Sequence, residues 1–138
     1  MEYMKITIET TIAAGVDKVW EYYTNPAHIT QWNFANNDWC CPKAENDLQV
    51  GGKYNARMEA KDGSFGFDFE AIYDEVTEGK KLSYTMGDGR QATTSFEGGN
   101  GTTKVTTTFD AESVHDAEMQ RAGWQAILEN FKKHVESN

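Results

Sequence analysis

The sequence predicts an α+β domain in which a curved antiparallel sheet of about six strands lies on one long C-terminal helix, with two short helices after the first strand. Three observations lead there. From Lys53 to Phe109 the chain alternates apolar and polar residues in short runs separated by glycine turns. From about Val114 to Val135 the apolar period lengthens to that of a helix. One further alternating run, Lys5 to Ile12, stands apart from the meander, with helical spacing after it.

In the first run Ile6, Ile8 and Ile12 share one face and Lys5, Thr7, Glu9 and Thr11 the other, the pattern of a half-buried strand. Val16, Val19, Trp20 and Tyr23 then recur at helical spacing, and the helix ends near Asn25-Pro26. Pro26 is suited to the first turn of a second short helix whose inner face carries Ile29 and Trp32. Asn33 to Asp47 has little periodicity. It holds Trp39-Cys40-Cys41-Pro42 and reads as a long ordered loop, a feature often tied to function in compact domains.

The meander opens after Gly51-Gly52. Tyr54, Ala56, Met58 and Ala60 fall on one face, and Asp62-Gly63 is a strong hairpin signal. Phe65, Phe67, Phe69, Ala71 and Tyr73 share the next inner face, followed by Leu82, Tyr84 and Met86 before Gly87-Asp88-Gly89. Ala92, Thr94 and Phe96 lead to Gly98-Gly99-Asn100-Gly101, and Val105, Thr107 and Phe109 form the last strand. Such short connections permit only antiparallel hairpins. Gly51-Gly52 and Gly66 are expected sites of a bend or bulge. In the final helix Trp124, Ile127, Leu128, Phe131 and Val135 form an apolar stripe, with Met119, Gly123 and Ile127 beside it.

At 138 residues the chain is expected to form one domain, residues 1–138, large enough for a sound core without disulfides. The formal charge of −9, with no run of basic residues, argues against nucleic acid as a partner. No apolar run is long enough to cross a bilayer, so no membrane insertion is expected. Met1 to Lys5 shows no apolar signal segment, and the two cysteines, Cys40 and Cys41, are adjacent rather than spaced as a staple, which together point to the cytoplasm.

Together these segments resemble the START-like, or SRPBCC, superfamily, which shares its helix-grip fold with the birch-pollen allergen. More narrowly they are similar to the bacterial branch related to the activator of the ninety-kilodalton heat-shock protein's ATPase. The segments that carry the likeness are Val19-Trp20, Thr24-Asn25-Pro26 through Gln31-Trp32-Asn33, and Asn46-Asp47-Leu48-Gln49-Val50-Gly51-Gly52-Lys53-Tyr54. Arg57-Met58-Glu59-Ala60-Lys61-Asp62-Gly63-Ser64, Gly101-Thr102 and Gly123-Trp124-Gln125-Ala126-Ile127-Leu128 complete it. The resemblance implies the helix-grip fold over nearly the whole chain. For function it implies lipid or hormone carriage, polyketide cyclase or dehydratase chemistry, or a chaperone-ATPase partner. The eukaryotic activator has a separate N-terminal domain that the matching segments do not include, so a chaperone partner is the weaker expectation.

A sheet closed by a helix tends to enclose a space. Its expected lining is Tyr54, Met58, Phe67, Phe69, Tyr84, Phe96, Met119 and Trp124, extended by Trp32, Trp39, Gly123 and Ile127. The Tyr54 and Tyr84 hydroxyls and the Gln120 amide are the expected orienting groups for a small hydrophobic or aromatic ligand. No catalytic residue can be assigned, because no triad, Cys-His pair or HExxH run is readable. No cofactor and no metal are expected: Cys40 and Cys41 lack metal-ligand spacing, and the Gly-Asp-Gly turn precedes no helix that would cradle a phosphate. His28, His115 and His134 are scattered along the chain, and Asp68 and Glu70 sit opposite the phenylalanines on the solvent side. A ligand-binding domain is therefore the first expectation, and an acid–base enzyme of the cyclase or dehydratase type the second.

Overall fold

Alternation builds the first element. In β1 (Lys5–Ile12) every second residue is buried and the others face solvent. The chain then enters α1 (Val16–Thr24) and α2 (Pro26–Trp32). The junction between the helices is set by chemistry: the Asn25 side chain accepts from the Ala27 N–H at 2.9 Å, and Pro26 occupies a first-turn position where no N–H is needed. The remaining elements are β2 (Trp39–Asn46), β3 (Lys53–Ala60), β4 (Gly66–Thr77), β5 (Lys81–Met86), β6 (Gln91–Gly99), β7 (Thr102–Asp110) and α3 (Ala117–Glu136). The computed structural model describes residues 3–138.

Among the described residues the strands form one sheet of seven, in the order β1-β7-β6-β5-β4-β3-β2, with every neighbouring pair antiparallel. The fold is the α+β helix grip: a curled antiparallel sheet, two short helices after the first strand and a long C-terminal helix on the inner face.

Several expectations need correction. The segment Asn33 to Asp47 is not a loop throughout, since Trp39–Asn46 is a seventh, edge strand paired with β3. Its register shifts between Cys40 and Lys43, around Pro42, and that irregularity erases the period-two signal by which a strand is recognised. Phe65 is not an inner-face strand residue; it precedes β4 and is 61% exposed. The last helix begins at Ala117 rather than Val114, and Val114 is exposed in the connection before it.

Gly52 is where the turn into β3 demands a missing side chain. A Cβ there would lie 2.1 Å from the Asp47 carbonyl oxygen, so no other residue fits. The bends lie elsewhere than expected at Gly66, which pairs regularly with Glu59. The register shifts fall at Cys40/Lys43 and at Tyr73/Glu75.

The core lies between β1, β7 and β6, the two short helices, and the C-terminal half of α3. Ile6, Ile12, Val19, Ile29, Val105, Phe109, Phe131 and Val135 are fully buried there. Trp20 packs edge-on against Phe96 with centroids 5.2 Å apart, and Phe131 packs against both Tyr23 and Trp32. Burial of side chains of this size contributes roughly 1.5–3 kcal/mol each, which makes this region the main source of stability. No helix among the described residues is long and apolar enough to cross a membrane.

A cavity between the sheet and the C-terminal helix

The long helix does not cover the sheet evenly. It packs mainly on β1, while β3, β4 and β5 curl past it. The space left between them is a cavity of about 200 Å³. Its sheet wall carries Tyr54 and Met58 from β3, Phe67, Phe69 and Tyr73 from β4, and Leu82 and Tyr84 from β5. Trp124, Ile127 and Leu128 form the helix wall, while Tyr23, Trp32 and Asn33 close the end beneath α1 and α2. Ile8, Thr94 and Thr107 complete the lining. Phe67 belongs to this wall and is also 42% exposed, so it marks where the cavity meets the surface. Trp39 and Phe65 pack edge-on against each other beside it.

Most polar groups in the wall have a definable partner; the Tyr84 hydroxyl and the Trp124 indole N–H have none among the described residues. Asn33 Nδ2 donates to the Tyr54 hydroxyl at 3.2 Å, and Tyr73 donates to Asn46 Oδ1 at 2.8 Å. The Thr94 and Thr107 hydroxyls are 2.8 Å apart, and Tyr23 reaches Thr94 at 3.4 Å. The Tyr84 hydroxyl has no hydrogen-bond partner among the described residues, yet it is not sealed off from free space. Burial pushes the phenols of Tyr54 and Tyr84 well above their usual range, and the neighbouring tyrosines push them further. Tyr73 is raised for the same reasons, with the Asn46 bond opposing. All remain neutral donors at physiological pH. Among the described residues the lining contains no carboxylate, imidazole, amine or guanidinium.

Residues 13–136 match the family described as Activator of Hsp90 ATPase homolog 1-like protein. The chain belongs to this family. It superposes on the solution structure of an AHSA1-like protein from Aeromonas hydrophila with a TM-score of 0.91 at 44% identity, covering 97% of this chain and 93% of that one. A second solution structure, of a protein from Cytophaga hutchinsonii, gives 0.83 at 45% identity over the same shares. A crystal structure from Chromobacterium violaceum gives 0.87 at 20% identity over 98% and 99% of the two chains, a likeness of fold alone. No curated protein matches.

In this AHSA1-like chain the cavity gathers Trp32, Tyr54, Met58, Phe67, Phe69, Tyr84, Trp124 and Ile127 of the residues named from sequence. Five others lie outside the lining. Phe96 is consumed by the core, wedged between Trp20 and Tyr23. Trp39 sits beyond Phe67 on the edge strand. Met119 is 62% exposed because it lies about 140° around the helix from the centre of the buried stripe. Gly123 flanks that stripe without entering the wall. Gln120 is turned to local work: its Oε1 accepts from the Glu112 N–H at 2.9 Å, and its Nε2 donates to the carbonyls of Glu112 and His115. It pins the connection before α3.

Several lining residues were not singled out beforehand. Tyr73, Leu82, Thr94 and Thr107 lie on the inner faces that alternation assigns, so the signal existed but did not separate wall from core. Asn33 had no such signal. It follows the last turn of α2, which Asn130 of α3 holds by donating to the carbonyls of Trp32 and Phe34.

Outside the cavity, Asp68 and Glu70 face solvent and pair with Arg57 and Lys53. Both cysteines are free. Burial pushes the Cys41 thiol up to about 11, which keeps it protonated and a poor nucleophile. His28 and His134, distant in sequence, meet: Nδ1 of the first lies 2.9 Å from Nε2 of the second, with the Tyr22 ring stacked on His28 at 3.8 Å.

Proposed function

We propose that this protein holds a small apolar or aromatic ligand in the cavity between its sheet and its C-terminal helix. The observation that carries this is a partly open space of about 200 Å³ walled by aromatic and aliphatic side chains. Native cores rarely tolerate voids of that size, and apolar cavities somewhat smaller hold benzene. The volume suits a single substituted ring or a short branched chain. It lies below the range that takes drug-sized molecules, so a whole sterol or a diacyl lipid would require the walls to move.

Acid–base chemistry of the cyclase type finds less support. It needs a group that gains or loses a proton near neutral pH. The ionisable groups of this lining are phenols driven upward by burial. We place the protein in the cytoplasm, where adjacent free thiols such as Cys40 and Cys41 persist.

The direct test is NMR titration with toluene, indole and cyclohexane, following the indole N–H signals of Trp32 and Trp124. Saturable shifts at these two signals, with Trp20 unmoved, are expected. If no probe moves them up to its solubility limit, the cavity is not a binding site. The family's description also raises a chaperone partnership. It is tested by adding the protein to the bacterial ninety-kilodalton chaperone and timing ATP turnover; an unchanged rate ends that idea.

A further inference from the structure

The walls of the cavity carry no charge and hold hydroxyl groups among their apolar side chains. The inference rests on the cavity being a binding site, and it names the class of molecule the site takes. First, the lining offers no counter-charge of either sign. A carboxylate entering it would leave water with no cation to meet, among phenols that already resist ionisation because of burial and one another. An ammonium would likewise find no carboxylate. Aromatic faces alone offset the loss of hydration only in part.

Second, the protons that the wall leaves without an acceptor are those of Tyr84, Tyr54 and the Trp124 indole N–H. Tyr73 has committed its proton to Asn46. Tyr84 has committed nothing among the described residues. Tyr54, its ring nearly parallel to that of Tyr84 with centroids 6.1 Å apart, accepts from Asn33, which leaves its own proton to give. A phenol with a raised pKa stays protonated and presents an O–H. These unpaired protons call for an acceptor on the ligand, such as a carbonyl or ether oxygen.

We propose that the cavity selects compact, neutral molecules bearing a hydrogen-bond acceptor, and that the Tyr84 hydroxyl is the donor that fixes them. Tyr84 is a binding and specificity residue; no bond is made or broken.

The test compares four probes of one shape: acetophenone, ethylbenzene, benzoate and benzylammonium. Each is titrated against the whole protein and its Tyr84→Phe variant, with the Trp32 and Trp124 indole signals as readout. The substitution keeps the ring, and an unchanged melting temperature verifies the fold. Acetophenone is expected to lose about tenfold in affinity in the variant, while ethylbenzene loses nothing. Benzoate and benzylammonium are expected to leave both signals in place at millimolar concentration. If ethylbenzene binds and acetophenone loses no affinity in the variant, the selectivity is overturned while the cavity remains a binding site. Binding of either charged probe as tight as acetophenone overturns the neutral class. If none of the four shifts either signal, this inference and the binding function beneath it fail together.

Discussion

The inner face of the sheet has two halves, built from similar residues and ending in opposite states. Under β7, Phe109 lies flat on Trp124 with centroids 3.9 Å apart, and Phe131 and Val135 of the same helix have no exposure. Across β3, β4 and β5, Tyr54, Phe69 and Tyr84 point the same way but face a gap. The helix crosses on the β1 side, and the sheet curls away from it. An aromatic residue on an inner face is thus core or cavity wall according to whether the helix reaches it. The difference separates two jobs: one half holds the fold together, and the other leaves the space that the proposed ligand would fill.

The largest expected effect contrasts one phenylalanine from each half. Phe131→Ala should cost about 3–5 kcal/mol in urea unfolding, because its neighbours Tyr23 and Trp32 are fixed by their own packing. Phe69→Ala, which enlarges a space already present, should cost under about 2 kcal/mol. Equal losses would mean that the wall is packed as tightly as the core. Adding bulk separates the halves again. Val105→Phe, at a position with no exposure, should destabilise by about 1–3 kcal/mol. Ile127→Phe, which points into the cavity, should be neutral or stabilise by up to about 1 kcal/mol while abolishing ligand shifts.

A smaller effect tests the seam between the halves, where Thr94 and Thr107 share a hydrogen bond within the cavity lining. Thr94→Val alone should cost about 1–2 kcal/mol, because it leaves the Thr107 hydroxyl buried without its partner. The double change to valine should cost less than the sum of the two single changes, since the threonines no longer orphan each other and only the Tyr23 hydroxyl loses its partner. Strict additivity in thermal or urea unfolding would show that the two hydroxyls do not depend on each other.

The contrast between halves also explains what was legible in the sequence. Alternation in Lys5–Ile12 and through the meander marked the inner faces, and the stripe from Trp124 to Val135 marked the buried side of the helix, because both follow from local periodicity. Strand β2 escaped because Pro42 and the adjoining register shift break that periodicity. Phe96 and Phe69 carry the same signal, an aromatic residue on an inner face. Only the path of the helix and the position of Trp20 send one to the core and the other to the wall. Gln120 faced inward by helical phase, yet nothing local announced the backbone groups of Glu112 and His115 that claim it. Such choices are made by tertiary geometry, and no spacing rule encodes them.

The smallest expected effect lies at the far end of the packed half, where the His28–His134 contact ties α2 to the last turn of α3. Burial, and then the proximity of His28, holds His134 below its ordinary value of 6.5. The helix C-terminus by itself favours a cation there. Lys18, placed over the Tyr22 ring that stacks on His28, adds a further positive charge to the cluster. Because the folded value is the lower one, protonation favours the unfolded chain. The contribution is complete above about 6.5 and is lost as pH falls through the depressed folded value. Melting temperatures should therefore fall between pH 7.5 and 5.5, and His134→Gln should flatten that slope. Asp110 does not confuse the measurement. Burial raises it, but Lys5 and the Gln91 N–H outweigh that and hold it below 3.8, so its own loss begins only in stronger acid. A slope unchanged in His134→Gln would show that the two rings touch without sharing a proton equilibrium, and that the packed half owes nothing to them.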